Sequence, residues 1–256
     1  MKKSAAKKIL YNVIYAVIAI AVILGAWAIS AEAFGSDLIL PSIGATFRAF
    51  ADVFNNSAFY VGIAGTLLRS LIGYAIALAL FFVTFYLAVC FDGVRRVIML
   101  IVSALRSLPA VAVTLILLIA VGGSNAPIVL GVIVIYPIMF SSSMSAIVAV
   151  PRELKEICTI CGASRTRMFA TVYMPRLAAG LPESLATAFS YNIKAVIGAE
   201  ILAQAAYSIG MLMKTAQISL EPALLMAFVI VAVVLSVALE IVIRYSLKLI
   251  LRNYRE

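Results

Sequence analysis

Six long apolar stretches alternate with shorter polar or basic segments along the chain. Each stretch has about 20 residues or more, the length that an α-helix needs to cross roughly 30 Å of hydrocarbon. The apolar runs are continuous rather than alternating, which argues against the roughly ten-residue strands of an outer-membrane barrel. The pattern therefore predicts an all-α polytopic membrane protein with one transmembrane domain, residues 1–256. The predicted spans are residues 9–30, 66–90, 97–121, 127–150, 181–203 and 222–243.

Two of these spans have features of their own. The first follows four lysines and precedes Ala31-Glu32-Ala33, which resembles a signal-peptide cleavage site. Its apolar region exceeds the roughly 7–15 residues of a signal peptide, so we expect a retained helix. The third span is interrupted by Arg106 and Pro109, where a proline kink is expected. Residues 122–126 then form a tight hairpin to the fourth span.

Composition supports the membrane assignment and narrows the chemistry. Hydrophobic residues make up 65% of the chain and charged residues 12%, which excludes a soluble globule and a disordered chain. There is no histidine, which removes Ser-His-Asp hydrolysis and His-based metal sites. Cys158 and Cys161 have the spacing of a zinc or redox pair, but a structural zinc site normally has four ligands. We therefore predict packing cysteines, no metal site and no catalytic residues.

Positive charges concentrate in alternate loops. Fifteen of the 20 lysines and arginines lie at the N-terminus, in the second and fourth loops and in the C-terminal tail. The positive-inside rule places these segments, with both termini, in the cytoplasm. The net charge of +9 is thus explained by topology, and no nucleic-acid partner is predicted.

The first loop, on the opposite side, contains an amphipathic segment. Ser42 is suited to cap a short helix that runs to Phe54, with Phe47, Phe50, Val53 and Phe54 on the same face. We expect this helix to lie at the outer interface or to face an external partner.

The fourth loop, residues 151–175, is basic and patterned. Pro151 and two glutamates favour a helix start, Gly162 favours a break, and Ser164 can cap a second helix that Pro175 ends. The predicted helix–turn–helix indicates a docking surface for a cytoplasmic partner. A helical hairpin that rests on lipid headgroups is the alternative.

This loop resembles the EAA signature of binding-protein-dependent ABC importer permeases. That signature is Glu-Ala-Ala, three residues, Gly, nine residues, then Ile-x-Leu-Pro. The chain has Glu156-Ile157-Cys158, three residues, Gly162, nine residues, then Val172-Tyr173-Met174-Pro175. Both spacings agree. Ile157 and Cys158 are bulkier than the two alanines that they replace.

Other short motifs resemble the nitrate, sulfonate, taurine and thiamine-precursor branch of the same family. The resemblance implies a type I importer permease (MetI-like) fold, a permease dimer, two ABC ATPase subunits and an extracytoplasmic binding protein in a bacterial inner membrane. These motifs are Leu40-Pro41-Ser42, Thr66-Leu67-Leu68-Arg69-Ser70, Leu105-Arg106-Ser107-Leu108-Pro109, Gly198-Ala199-Glu200 and Ile209-Gly210.

By the same resemblance, the fourth loop couples ATP hydrolysis to transport. Glu156 would be the charged docking residue, Gly162 would allow the turn, and the arginines would make peripheral contacts or remain solvated. No P-loop sequence occurs in the chain, so ATP and Mg²⁺ are expected in the partner subunit and this chain is expected to have no cofactor or enzymatic activity. The implied coupling residues are Glu156, Gly162, Ala163, Ser164, Arg165, Arg167 and Pro175.

Charged residues inside the spans are candidates for the translocation path, because such residues usually face protein or water. They are Arg106, Lys194 and Glu200. Lys194 and Glu200 are six residues apart, so they do not form an i,i+4 pair. One hypothesis is that Lys194 lines the translocation path, where it attracts an anionic substrate or pairs across the dimer. The alternative is a structural role, in which Lys194 forms an ion pair or snorkels within a packed interface.

Two other functional classes compete with the importer subunit. A stand-alone secondary transporter or channel often shows internal repeats, and none is evident here. An intramembrane enzyme needs clustered catalytic groups, which the sequence does not offer. The transported solute stays open, because the binding protein is a separate chain.

Overall fold

The computed structural model describes residues 2–250, apart from the side chains of residues 2–10, 12, 13, 152, 155, 159, 165 and 179. Within this part the chain is helical, with one π-helical segment, Phe169–Tyr173. The helices are α1 Lys2–Phe34, α2 Ile43–Val53, α3 Ser57–Cys90, α4 Asp92–Ser107, α5 Ala110–Val121, α6 Ala126–Val148, α7 Arg152–Ile160, α8 Arg165–Met168, α9 Met174–Ala203, α10 Ile209–Ile218 and α11 Pro222–Ile250.

Four helices in the described residues are long and apolar enough to cross a membrane. They are the Ile14–Phe34 part of α1, together with α3, α6 and α11. The pair α4–α5 forms a fifth candidate, but it bends by 97° between Ser107 and Ala110, so the predicted third span is not one straight helix. Pro109 precedes α5 and cannot continue α4 because it has no N–H group. The remaining predicted span lies in α9, whose 30 residues extend about 45 Å and include several charges.

Helix α9 is the centre of the bundle. It packs against α6, α11, α3, α10 and α5. The spanning part of α1 has no buried residue, and its Trp27 Nε1 donates to Pro41 O at 3.0 Å. One buried cluster, at the end that carries the α3–α4 turn, includes Phe81, Phe140 and Leu181. A second cluster, at the opposite end, includes Phe59, Phe189 and Phe228. The charge pattern predicts that this end faces outward, and it is called here the outer end.

The amphipathic helix predicted for the first loop is confirmed as α2. Ser42 Oγ accepts a hydrogen bond from Ala45 N at 3.3 Å, as an N-cap residue should. Val53 is buried, and α2 packs against α11. Phe47 and Phe54 stay exposed, so only part of the predicted apolar face is covered by the chain itself.

Candidate functional site

Three basic segments predicted for the cytoplasm lie together at one end of the bundle, called here the basic end. They are the second loop, the fourth loop and the last part of α11. The Tyr86 ring near the end of α3 contacts Phe169 with centroids 5.3 Å apart, and Arg244 of α11 contacts Glu183 of α9 at 3.3 Å. Burial raises the pKa of Tyr173. Two charges at the start of α4 act on the same hydroxyl: Arg95 lowers this pKa and Asp92 raises it. Arg252 and Arg255 lie outside the described residues, as do the side chains of the N-terminal lysines, Arg152 and Lys155.

The loop at residues 151–175, called here the coupling loop, has a defined turn. Helix α7 ends at Ile160, and Gly162 adopts a φ of +67°, a left-handed conformation that glycine adopts without a steric penalty. Ala163 N donates to Cys158 O at 2.9 Å, the six-to-one hydrogen bond of a Schellman motif. Ser164 Oγ then accepts from Arg167 N at 3.2 Å and caps α8. The predicted helix–turn–helix is confirmed up to this point.

The second half of the loop differs from the prediction. Pro175 does not end the second helix, because α8 continues through the π segment into α9 and Pro175 occupies its second position. A proline inside an α-helix clashes with the carbonyl four residues before it and lacks an N–H donor. The π segment that precedes Pro175 widens the helix at this point, which gives the ring room. The coupling loop is therefore covalently continuous, as helix, with the central helix of the bundle.

Helix α7 presents apolar side chains to its surroundings. Leu154 is 43% exposed, Ile157 56% and Ile160 85%. Glu156 is exposed beside them, and Ser164, Arg167 and Pro175 are exposed further along the loop, while Ala163 is half-buried. The Arg165 side chain lies outside the described residues. The surface thus combines apolar and charged groups at the basic end.

A buried polar network lies towards the outer end and is called here the polar clasp. Glu200 of α9 is fully buried, and its Oε1 contacts Arg69 Nη1 of α3 at 3.2 Å. Its Oε2 accepts from Thr66 Oγ1 at 2.8 Å and from Gly210 N at 3.3 Å. Arg69 Nη2 donates to Ala206 O at 2.7 Å. The clasp joins α3, α9 and the start of α10, so Glu200 has a partner within the chain and faces no open path.

Glycines permit the close approach around the clasp. A Cβ at Gly65 would overlap the carbonyl oxygen of Tyr207, and one at Gly210 would overlap Glu200 Cβ. The loop between α9 and α10 is held in an uncommon conformation, with φ of 48° at Gln204 and 54° at Tyr207. The clasp therefore fixes a strained loop against α3.

Lys194 and Arg106 have different surroundings from Glu200. Lys194 is exposed on α9 in a stripe with Tyr191 and Gly198, and its Nζ lies 5.4 Å from the centre of the Tyr191 ring. A groove of about 250 Å³ that Lys194 lines has otherwise apolar walls from α9, α10 and α11. Arg106 is exposed in the last turn of α4, next to the bend. None of the ion pairs among the described side chains involves Lys194 or Arg106.

The pairing of Arg69 with Glu200 was missed by sequence reasoning. The two residues are separated by 131 positions. A signal for it exists, because each lies a few residues inside the outer end of its predicted span and the two charges are opposite. Asn192 was also missed; it is fully buried, and its Nδ2 donates to Ser70 O of α3 at 2.6 Å.

Comparison with known proteins agrees with these features. Residues 91–256 match the family "Binding-protein-dependent transport system inner membrane component", and this match covers more than half of the chain. The chain belongs to that family. It is therefore a multi-pass membrane permease of the ABC importer type, and the resemblance of its coupling loop to the family's signature is consistent with this assignment.

A solved structure of the MetNI methionine ABC transporter in inward-facing conformations has a similar fold. The TM-score is 0.54 at 18% sequence identity, with 77% of this chain and 94% of that chain covered. At this identity the likeness concerns the fold alone, and it confirms the MetI-like fold predicted from the sequence. No curated protein matches the chain.

Proposed function

We propose that the chain forms the translocation pore of an ATP-driven importer and that its coupling loop docks on a cytoplasmic ATPase subunit. The observation that supports this most strongly is the apolar face of α7, where Ile157 and Ile160 are exposed on a helix with a defined end. Exposed apolar side chains rimmed by polar groups are typical of protein interaction sites.

The direct helical connection from the loop to α9 supports a mechanical role. A push on α7 and α8 reaches α9 through the π segment, and α9 carries both Lys194 and the clasp residue Glu200. Movement of a rigid helix can therefore link the docking surface to the pore. This chain transmits the work, and ATP with Mg²⁺ binds the partner.

The proposed assembly has two identical permease chains, two ATPase subunits and an extracytoplasmic binding protein, in a bacterial inner membrane. Clustering of the basic segments at one end supports a cytoplasmic location for that end, with both termini on the same side. The nitrate, sulfonate, taurine and thiamine-precursor branch is the proposed subgroup, and the binding protein determines the solute.

Within the pore, we place Lys194 and Arg106 along the translocation path. A charged side chain at membrane depth costs about 2.5–3.5 kcal/mol on insertion scales, so it normally faces water or another protein group. Lys194 shares its exposed stripe with Gly198, and a Cβ at Gly198 would meet no atom within 4 Å. The charge of Lys194 in this open stripe supports a water-filled path and not a lipid-facing surface.

Docking is tested by tagging the chain, extracting it in mild detergent and measuring how much P-loop ATPase co-purifies. The double variant Ile157→Asp/Ile160→Asp should retain the helical fold and lose the ATPase, because it places two carboxylates in an apolar contact. Ile218→Asp is the matched control, since Ile218 is 67% exposed at the outer end. Equal ATPase recovery from all three proteins would contradict the docking proposal.

The path is tested by cysteine accessibility in a background with Cys90, Cys158 and Cys161 replaced by serine. A membrane-impermeant methanethiosulfonate should label Gly198→Cys, because a thiol ionises and reacts only where water reaches it. Val83→Cys is the control, since Val83 is exposed on the apolar helix α3. Failure to label position 198, or equal labelling at both positions, would exclude a water-filled path at Lys194.

A further inference from the structure

A cavity of about 410 Å³ lies between α2, α10 and α11 at the outer end of the molecule. This volume is within the range of about 300–1,000 Å³ that is usual for small-molecule sites. Its described lining residues come from these three helices, the start of α3 and the adjoining turns. The cavity is therefore distinct from the coupling loop and from the Lys194 stripe.

The floor of the cavity is apolar and firmly held. Phe59 is 2% exposed and Phe228 5%, and their ring centroids lie 6.5 Å apart. Val53 and Ala216 complete the floor and are also buried. All four belong to the outer buried cluster, so the site is formed without a ligand and the floor side chains have little freedom to lose on binding.

The rim of the cavity carries two carboxylates, Asp52 and Glu221. Both residues are exposed, and neither takes part in the ion pairs found among the described side chains. Asp52 lies in the last turn of α2, where the helix dipole disfavours a negative charge. Helix stability therefore does not account for an aspartate at this position.

We propose that this cavity binds a small organic cation with an apolar body, an activity beyond the proposed pore function. The ammonium group would lie between Asp52 and Glu221, where it forms charge-assisted hydrogen bonds. The apolar body would rest on the floor that Phe59 and Phe228 form. The same two carboxylates repel an anion of equal size.

Binding at this place has a mechanical consequence. Asp52 belongs to α2, and Glu221 immediately precedes α11, so a ligand that contacts both adds a link between two helices that already pack against each other. A ligand that binds only the folded state stabilises it by RT ln(1 + L/Kd), where L is the free ligand concentration, so the stabilisation grows with that concentration. The bound cation should therefore raise the unfolding temperature of the full-length protein.

The experiment uses the purified full-length chain and two probes with closely similar bodies, tryptamine as the cation and indole-3-propionate as the anion. Affinities are measured by isothermal titration calorimetry at about 0.1 M salt, where the Debye length is roughly 10 Å. We expect tryptamine to bind at least tenfold more tightly. Asp52→Asn/Glu221→Gln should weaken tryptamine binding at least tenfold, and Thr215→Trp, which fills the cavity, should abolish it.

Glu32→Gln is the matched control, because Glu32 is an exposed outer-end carboxylate outside the cavity. It should leave tryptamine affinity unchanged, and detergent partitioning affects every variant alike. The proposal is overturned if the two probes bind equally or not at all, if the double variant binds like the unmodified protein, or if Glu32→Gln weakens binding as much. Any of these results leaves the docking and path experiments unaffected.

Discussion

Replacing Arg69 by methionine tests whether the polar clasp holds the outer end together. The change removes the guanidinium that lies 3.2 Å from Glu200, a carboxylate with no exposure, and keeps an unbranched apolar chain in its place. Removing one partner of a buried ion pair destabilises a protein by about 3–5 kcal/mol, because the other charge stays buried without compensation. The hydrogen bond to Ala206 O is lost in addition. Since the Arg69 side chain is 14% exposed, we expect a loss within this range and not above it.

The assay is thermal unfolding of the detergent-purified chain, followed by helical circular dichroism. For a chain of this size, 1 kcal/mol corresponds to about 2–4 °C, so Arg69→Met should lower the Tm by roughly 6–20 °C. Arg69→Met/Glu200→Gln should recover part of this loss, because both charges are then absent. Arg48→Met is the control, since Arg48 is exposed and its Nε donates to Gly44 O four residues away, within the same helix. The clasp would be refuted if Arg69→Met lowered the Tm by less than about 2 °C. It would also be refuted if the effects of Arg69→Met and Glu200→Gln on stability simply added in the double variant.

Three further changes test other parts of the fold. Gly65→Ala should lower the Tm by several degrees, because the new Cβ overlaps Tyr207 O, whereas Gly25→Ala, with no neighbour within 4 Å, should not. Gly162→Val should lose the co-purifying ATPase and Gly162→Asn should retain it, because asparagine tolerates positive φ and valine does not; equal recovery would contradict a role for the turn. Phe140→Ala should cost about 3–5 kcal/mol in an unfolding assay, since the ring is fully buried.

Sequence reasoning located the helices because their signals are local. Apolar runs of membrane length, the Ser42 cap and the turn at Gly162 each depend on residues within a few positions of one another. The structure has these elements at α2, at α7 and in the long helices. The docking role of Glu156 and the path role of Lys194 stay predictions, since both depend on molecules outside this chain.

Sequence reasoning failed for features that depend on contacts between distant residues, and for the size of a helix bend or the continuation of a helix past a proline. Pro109 indicated a kink, but a 97° bend depends on how α4 and α5 pack against α6. Pro175 indicated a helix end, but the π segment lets the helix continue. The partner of Glu200 is 131 residues away, and only the depth and sign of the two charges pointed to it.

The charges of the central helices differ in how they are neutralised within the chain. Glu200 is neutralised by Arg69 within the chain, and Glu183 is paired with Arg244 at the basic end. Lys194 has a tyrosine ring beside it, and no described ion pair includes it. Because a charge at membrane depth is retained only where something offsets its cost of insertion, the first two are explained by the folded chain alone. For Lys194, the proposed translocation path would supply this offset through water, a solute or a second permease chain.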